Sequence, residues 1–170
     1  LELFRSGLAR SRAAAALSAA PPAAPAYAAV ALILREGPRG AEVLFIERAM
    51  REGDPWSGHM AFPGGRLEGD DDSAWTAACR ETREEVGLEI TDAEYLGHVC
   101  DLTGRAGSPR PLVVSAHAFH LGEERPLALD ENEVRSAFWF PLAALHEPER
   151  RTTHRIPQLP EHVFPAIVVG

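Results

Sequence analysis

The sequence predicts an α/β fold, a mixed sheet held between helices, and three observations carry it. Short apolar runs of strand length recur on both sides of one segment with helical periodicity. That segment, residues 73–88, sets an apolar stripe opposite a charged one. The 170 residues suffice for one core and match the usual size of one domain. Elements in this order stack as layers, because each must bury its apolar side against another.

Residues 1–20 carry Arg5, Arg10 and Arg12 ahead of an alanine-rich stretch and read as an amphipathic helix rather than a targeting peptide. Residues 21–26, which contain Pro21, Pro22 and Pro25, form a stiff linker into a domain spanning 27–170. Residues 27–35 and 41–47 read as strands joined at Gly37-Pro38-Arg39-Gly40, a hairpin signal. The connection over 50–65 is loop, and that length in a compact domain points to function. It holds Trp56, His59 and Phe62, a candidate wall of a substrate site; for Trp56 the alternative is a satellite hydrophobic contact. Beyond the helix, 93–102, 111–121 and 134–140 read as further strands, and 141–146 begins a short helix at Pro141.

The helix carries the chemistry. At about 100° per residue, with Arg80 at zero, Glu84 falls near 40°, Glu81 near 100° and Glu85 near 140°. Trp75, Cys79, Thr82 and Val86 cluster at about 200–260°, the core-facing side. The Asp70-Asp71-Asp72-Ser73 run can cap the helix start and complement its positive end, and Gly87 is a natural stop. Three carboxylates in one wedge repel one another. Arg80 and Arg83 offset part of that repulsion, and a divalent cation would offset more. Mg²⁺ or Mn²⁺ favours carboxylate oxygens and bridges phosphates, so the stretch reads as a metal site for a pyrophosphate, against the plainer reading of a solvated charged face.

Gly65, Asp71 and the run Arg80-Glu81-Thr82-Arg83-Glu84-Glu85-Val86-Gly87-Leu88 resemble the signature box of the Nudix hydrolases. Asp71 stands for the box's first glutamate, one residue farther from Arg80 than usual, and Thr82 takes an apolar slot. That offset and Phe62-Pro63-Gly64-Gly65 resemble the coenzyme A pyrophosphatase branch, whose preceding motif is partly matched by residues 44–49 and 58–65. There Asp54 stands where an Arg is usual and Glu47 where a Thr is usual. The resemblance implies an α/β/α sandwich and cations held by Glu81, Glu84, Glu85 and the Gly65 carbonyl, with Arg80 orienting the carboxylates. With the loop wall of Trp56, His59 and Phe62, the substrate site is expected to include Gly64, Gly65 and Arg48. Glu131 and Glu133, ahead of the 134–140 strand, resemble an acidic position some relatives recruit as an extra acid; a solvated turn is the alternative.

The implied reaction is hydrolysis of a nucleoside diphosphate linked to another group, with coenzyme A as the first substrate expected. ADP-ribose, another nucleotide sugar or a nucleoside triphosphate is the alternative, and a nucleotide-binding domain without turnover is the rival of another class. The usual trace of that rival, a missing helix carboxylate, is absent here.

A formal net charge of −8 disfavours nucleic-acid coating, which draws on basic stripes. All 17 basic residues are Arg, more a composition bias than a phosphate-binding device. Cys79 and Cys100 read as thiols, which fits a reducing cytoplasm, and no apolar run is long enough for a membrane span. His117 and His120 read as packing or surface residues. Residues 150–155 are the densest basic stretch, either a phosphate receiver or an exposed strand. The chain stops after the apolar run ending Val168-Val169-Gly170, which suggests a missing continuation or a homodimer completing the domain.

Overall fold

The computed structural model describes residues 25–54, 56–90, 94–104, 111–155, 161 and 163–169. The expected helix over 1–20 and most of the linker lie outside them. Among the described residues the chain runs β1 (Ala26–Gly37), β2 (Gly40–Arg48), β3 (Met60–Ala61), β4 (Gly64–Arg66), α1 (Ala74–Val86), β5 (Glu94–Gly104), β6 (Leu112–His120), β7 (Val134–Pro141), β8 (Arg151–His154) and β9 (Phe164–Ile167). Two short 3₁₀ turns, Leu142–His146 and Pro148–Arg150, follow β7.

The first seven strands form one mixed sheet. β1 lies parallel to β6 from Ala26 to Leu34 and antiparallel to β2 only from Leu34 to the Gly37–Gly40 turn. Past that point the hairpin splays. β4 takes the freed edge of β1 at Ala28–Val30, and β3 takes the freed edge of β2 at Ile46 and Glu47. β7 occupies the other edge of β2, and β5 pairs with β6. The expected loop over 50–65 therefore ends in two short strands wedged into the hairpin's mouth. Strands of two and three residues are too short to show an alternating pattern, which is why the sequence hid them.

α1 packs across one face, where Ala29, Ala31, Ile33, Leu44 and Ile46 meet Ala77, Ala78 and Val86. Ser73 caps its start, its side chain accepting from the Thr76 N–H at 3.1 Å, and Gly87 ends it in the left-handed region at φ 70°. The buried side of the helix is wider than the predicted stripe: Ala77, Ala78 and Glu85 are buried with Cys79, Thr82 and Val86, while Trp75 is half-buried. On the other face Phe45 stacks on Phe62 at 4.9 Å and meets Phe138 and Phe140, beside the first 3₁₀ turn. The basic stretch becomes β8, exposed throughout and paired with β9 in a separate ribbon. Cys79 and Cys100 are free thiols, and burial pushes Cys79 up to about 11. His117 is buried on β6, its Nδ1 2.8 Å from the Tyr95 hydroxyl. Among the described residues no helix is long and apolar enough to cross a membrane.

Candidate active site

The splayed hairpin fixes the site. β4 runs against β1 so closely that a Cβ at Gly64 would overlap the Ala29 carbonyl oxygen, and its φ of 152° also favours glycine. At Gly65 a Cβ would overlap the Glu81 carboxylate. The two glycines thus let the carboxylate-bearing second half of α1 approach a bare backbone edge. The Gly64 N–H donates to Glu85 Oε2 at 2.8 Å, tying strand to helix.

Glu133 joins them from the other side. The turn before β7 is held at both ends: the Asp130 N–H donates to the Glu85 carbonyl at 3.1 Å, and the Ala49 N–H to the Glu133 carbonyl at 2.8 Å. One carboxylate oxygen from each of Glu81, Glu85 and Glu133 lies within 4.8 Å of the others. Burial is the main cause raising Glu85 to about 7, with the charges of Glu81 and Glu133 adding and the Gly64 N–H and Arg48 opposing. Glu81 is raised for the same first reason, with Arg80 opposing. Three hard oxygen donors converging at partial burial are the donor set that Mg²⁺ or Mn²⁺ takes, so the residues fit the expected cation.

Arg80 organises the near side. Its Nε and Nη2 reach the two Asp71 oxygens at 3.2 and 2.9 Å, Nη2 also donates to the Arg66 carbonyl at 3.0 Å, and Nη1 donates to Glu81 and Glu84 at 3.0 Å each. Asp71 in turn accepts from the Glu68 N–H at 2.8 Å, and the Arg80 guanidinium holds its carboxyl below the usual carboxylate range. Asp71, with a side chain only 3% exposed, is therefore the clasp between loop and helix despite the altered spacing.

The cleft above these groups measures about 830 Å³. Arg48, Trp56, His59, Gly64, Gly65 and Glu84 line it. Arg48 pairs with Asp54 at 3.2 Å, and Trp56 and His59 meet edge to face at 5.5 Å, with His154 of β8 beyond them at 6.0 Å from His59. Three expectations change. Glu84 lines the cleft but is turned to Arg80, outside the close trio. Phe62 stacks on Phe45 and does not line the cleft. Glu131 is exposed in the turn, and Glu133 alone of that pair reaches the site. Sequence reasoning also missed Arg51, which reaches Glu133; a lone arginine in a long loop carries no periodic signal.

The comparisons with known proteins place this fold and its acidic cleft in a family. The NUDIX domain model matches residues 25–161, so the chain belongs to the Nudix family. It is 42% identical over 118 residues to an uncharacterized protein of Schizosaccharomyces pombe, covering 67% of this chain and 36% of that protein. A probable nudix hydrolase of the same yeast is 31% identical over 129 residues, covering 76% of this chain and 44% of that one. The chain thus spans less than half the length of these relatives. Among solved structures, a Caenorhabditis elegans Ap4A hydrolase complex superposes with a TM-score of 0.57 at 23% identity, covering 67% of this chain and 78% of that one. The NUDIX domain of Shewanella oneidensis NrtR with ADP ribose gives 0.58 at 18%, covering 72% and 77%. These neighbours share the α/β/α sandwich fold.

Proposed function

We propose that the chain is a metal-dependent pyrophosphohydrolase that cleaves a nucleoside diphosphate linked to another group, with Mg²⁺ or Mn²⁺ as cofactor. The convergence of Glu81, Glu85 and Glu133 beneath an open cleft is the observation that carries this reading. Those three carboxylates would hold the cation, with the Gly65 backbone beside Glu81 as a further oxygen donor. A bound divalent ion there supplies charge neutralisation for the pyrophosphate and makes a bound water more acidic. Arg80 bridges Glu81 and Glu84 through Nη1 and orients them by charge-assisted bonds, so little rearrangement is left for the moment of reaction. The proton released by the attacking water passes to a carboxylate of this cluster. Trp56 and His59 form an aromatic wall suited to the non-phosphate part of the substrate.

Coenzyme A is the first substrate to test, on the Phe62-Pro63-Gly64-Gly65 resemblance. ADP-ribose is the second, favoured by the likeness to a domain solved with that ligand. Product analysis separates them. Coenzyme A gives 3′,5′-ADP and phosphopantetheine, whereas ADP-ribose gives AMP and ribose phosphate. Absence of Mg²⁺-dependent release of any of these products, and of pyrophosphate from nucleoside triphosphates, would refute the enzymatic reading in favour of a binding domain.

A further inference from the structure

Arg51 lies in the loop between β2 and β3, yet its guanidinium grips the turn before β7. Nε donates to the Asn132 carbonyl at 3.0 Å, and Nη2 to Glu133 Oε1 at 3.1 Å. Two donors of one planar fork thus hold consecutive residues of that turn, which fixes where the Glu133 carboxylate points. The loop that carries Arg51 is itself braced. The Arg51 N–H donates to Ser57 Oγ at 2.9 Å, and the same hydroxyl donates back to the Arg51 carbonyl at 2.8 Å. Asp54 Oδ1 accepts from the Trp56 N–H at 3.0 Å while its other oxygen pairs with Arg48. Arg51 and Asp54 are thus each tied to the Trp56–Ser57 end of the loop.

Arg51 holds Glu133 by Oε1, and the carboxylate so held is the one that offers an oxygen within 4.8 Å of those of Glu81 and Glu85. Glu133 comes from a turn, where a free carboxylate would sample many rotamers, whereas Glu81 and Glu85 are carried by a packed helix. We infer that Arg51 is the positioning residue for Glu133, so that the third carboxylate is delivered to the cation by the same braced loop that presents Trp56 to the substrate. Loop and cation site form one unit. This rests on the metal-dependent reading above. It extends that reading by tying cation affinity to a residue of the cleft's rim that acts on the cation site through Glu133.

The test measures Mn²⁺ binding to the whole chain by the electron paramagnetic resonance signal of free Mn²⁺, with no substrate present. Arg51→Ala should weaken Mn²⁺ binding about tenfold, the lower end of what loss of a group orienting a metal ligand costs. Glu133→Gln should weaken it at least as much, and adding Arg51→Ala to Glu133→Gln should cost nothing further, since both changes act through one carboxylate. Arg51→Lys keeps the charge but offers one nitrogen to two acceptors, and should recover only part of the loss. Wild-type or tighter Mn²⁺ binding by Arg51→Ala overturns the inference, as does an undiminished loss in the Glu133→Gln background. A wild-type chain that takes up no Mn²⁺ removes the metal-dependent reading and this inference together.

Discussion

Gly65 and Glu81 fit each other as empty space fits a side chain: the carboxylate of Glu81 lies where a Cβ at residue 65 would stand. The overlap falls on the far end of a flexible side chain, so Gly65→Ala should leave the fold standing and displace the carboxylate. The expected outcome is a loss of at least tenfold in Mg²⁺-dependent turnover with a melting temperature close to wild type. Gly64→Ala differs, because there the clash is with the Ala29 backbone. It should lower the melting temperature as well. Paired thermal melts and turnover assays on the two variants distinguish a displaced ligand from a displaced strand.

Asp71→Asn tests the clasp. Asp71 is nearly inaccessible and receives two guanidinium bonds and one backbone N–H, while Arg80 is partly exposed. The amide cannot accept both guanidinium bonds, so the loss should be roughly 2 kcal/mol. In a domain of this length that corresponds to a fall in Tm of about 4–8 °C. Asp71→Glu should recover part of it, because the charge is kept and only the reach is wrong. A Tm unchanged by the asparagine variant would mean that the loop is held by other contacts.

The helix was legible because its period, cap and stop agree with its tertiary role: Ser73 and Gly87 end it where capping chemistry requires. The hairpin at Gly37–Gly40 was legible for the same reason. What stayed hidden depends on contacts far apart in sequence. Helical geometry places Glu84 with Glu81 and Glu85, but Arg80 draws Glu84 aside and β7 pairing beside Arg48 brings Glu133 in its stead. Phe62 read as substrate wall because an aromatic in a loop has no face assigned to it; the sheet assigns one, against Phe45. Arg51 and Asp54 are charges in a loop whose partners only the folded chain supplies.

Glu85 links stability to pH. Burial raises its folded value to about 7 from 4.5, so between those values the folded chain binds a proton that the unfolded chain has lost. Its contribution therefore favours folding at pH 5 and opposes it at pH 8, by roughly 3 kcal/mol at about 1.4 kcal/mol per pH unit. Asp54, Asp71 and Asp101 are held below 3.8, and what they contribute is lost only as pH falls through that lower range. His117, lowered by burial, opposes the trend below 6.5, which makes the difference between chains the quantity to read. In EDTA, wild type minus Glu85→Gln in unfolding free energy should become more positive as pH drops from 8 to 5. A difference that stays flat would show that Glu85 titrates normally.

Divalent cation should stabilise the chain through the same carboxylates. An ion that binds only the folded state adds about 2.7 kcal/mol at a hundred times its Kd. For a domain of this length that is a rise of about 5–10 °C in Tm. The rise should be larger at pH 8 than at pH 6, because at the lower pH the cation must first displace the proton that Glu85 holds. Glu81→Gln and Glu85→Gln should each remove most of it, and Glu84→Gln should keep most of it, since Glu84 stands outside the close trio. Thermal melts with and without Mn²⁺ across these variants put the expected ligand set to a direct test. A Glu84→Gln variant that loses the rise as fully as Glu85→Gln would return Glu84 to the cation and Glu133 to the rim.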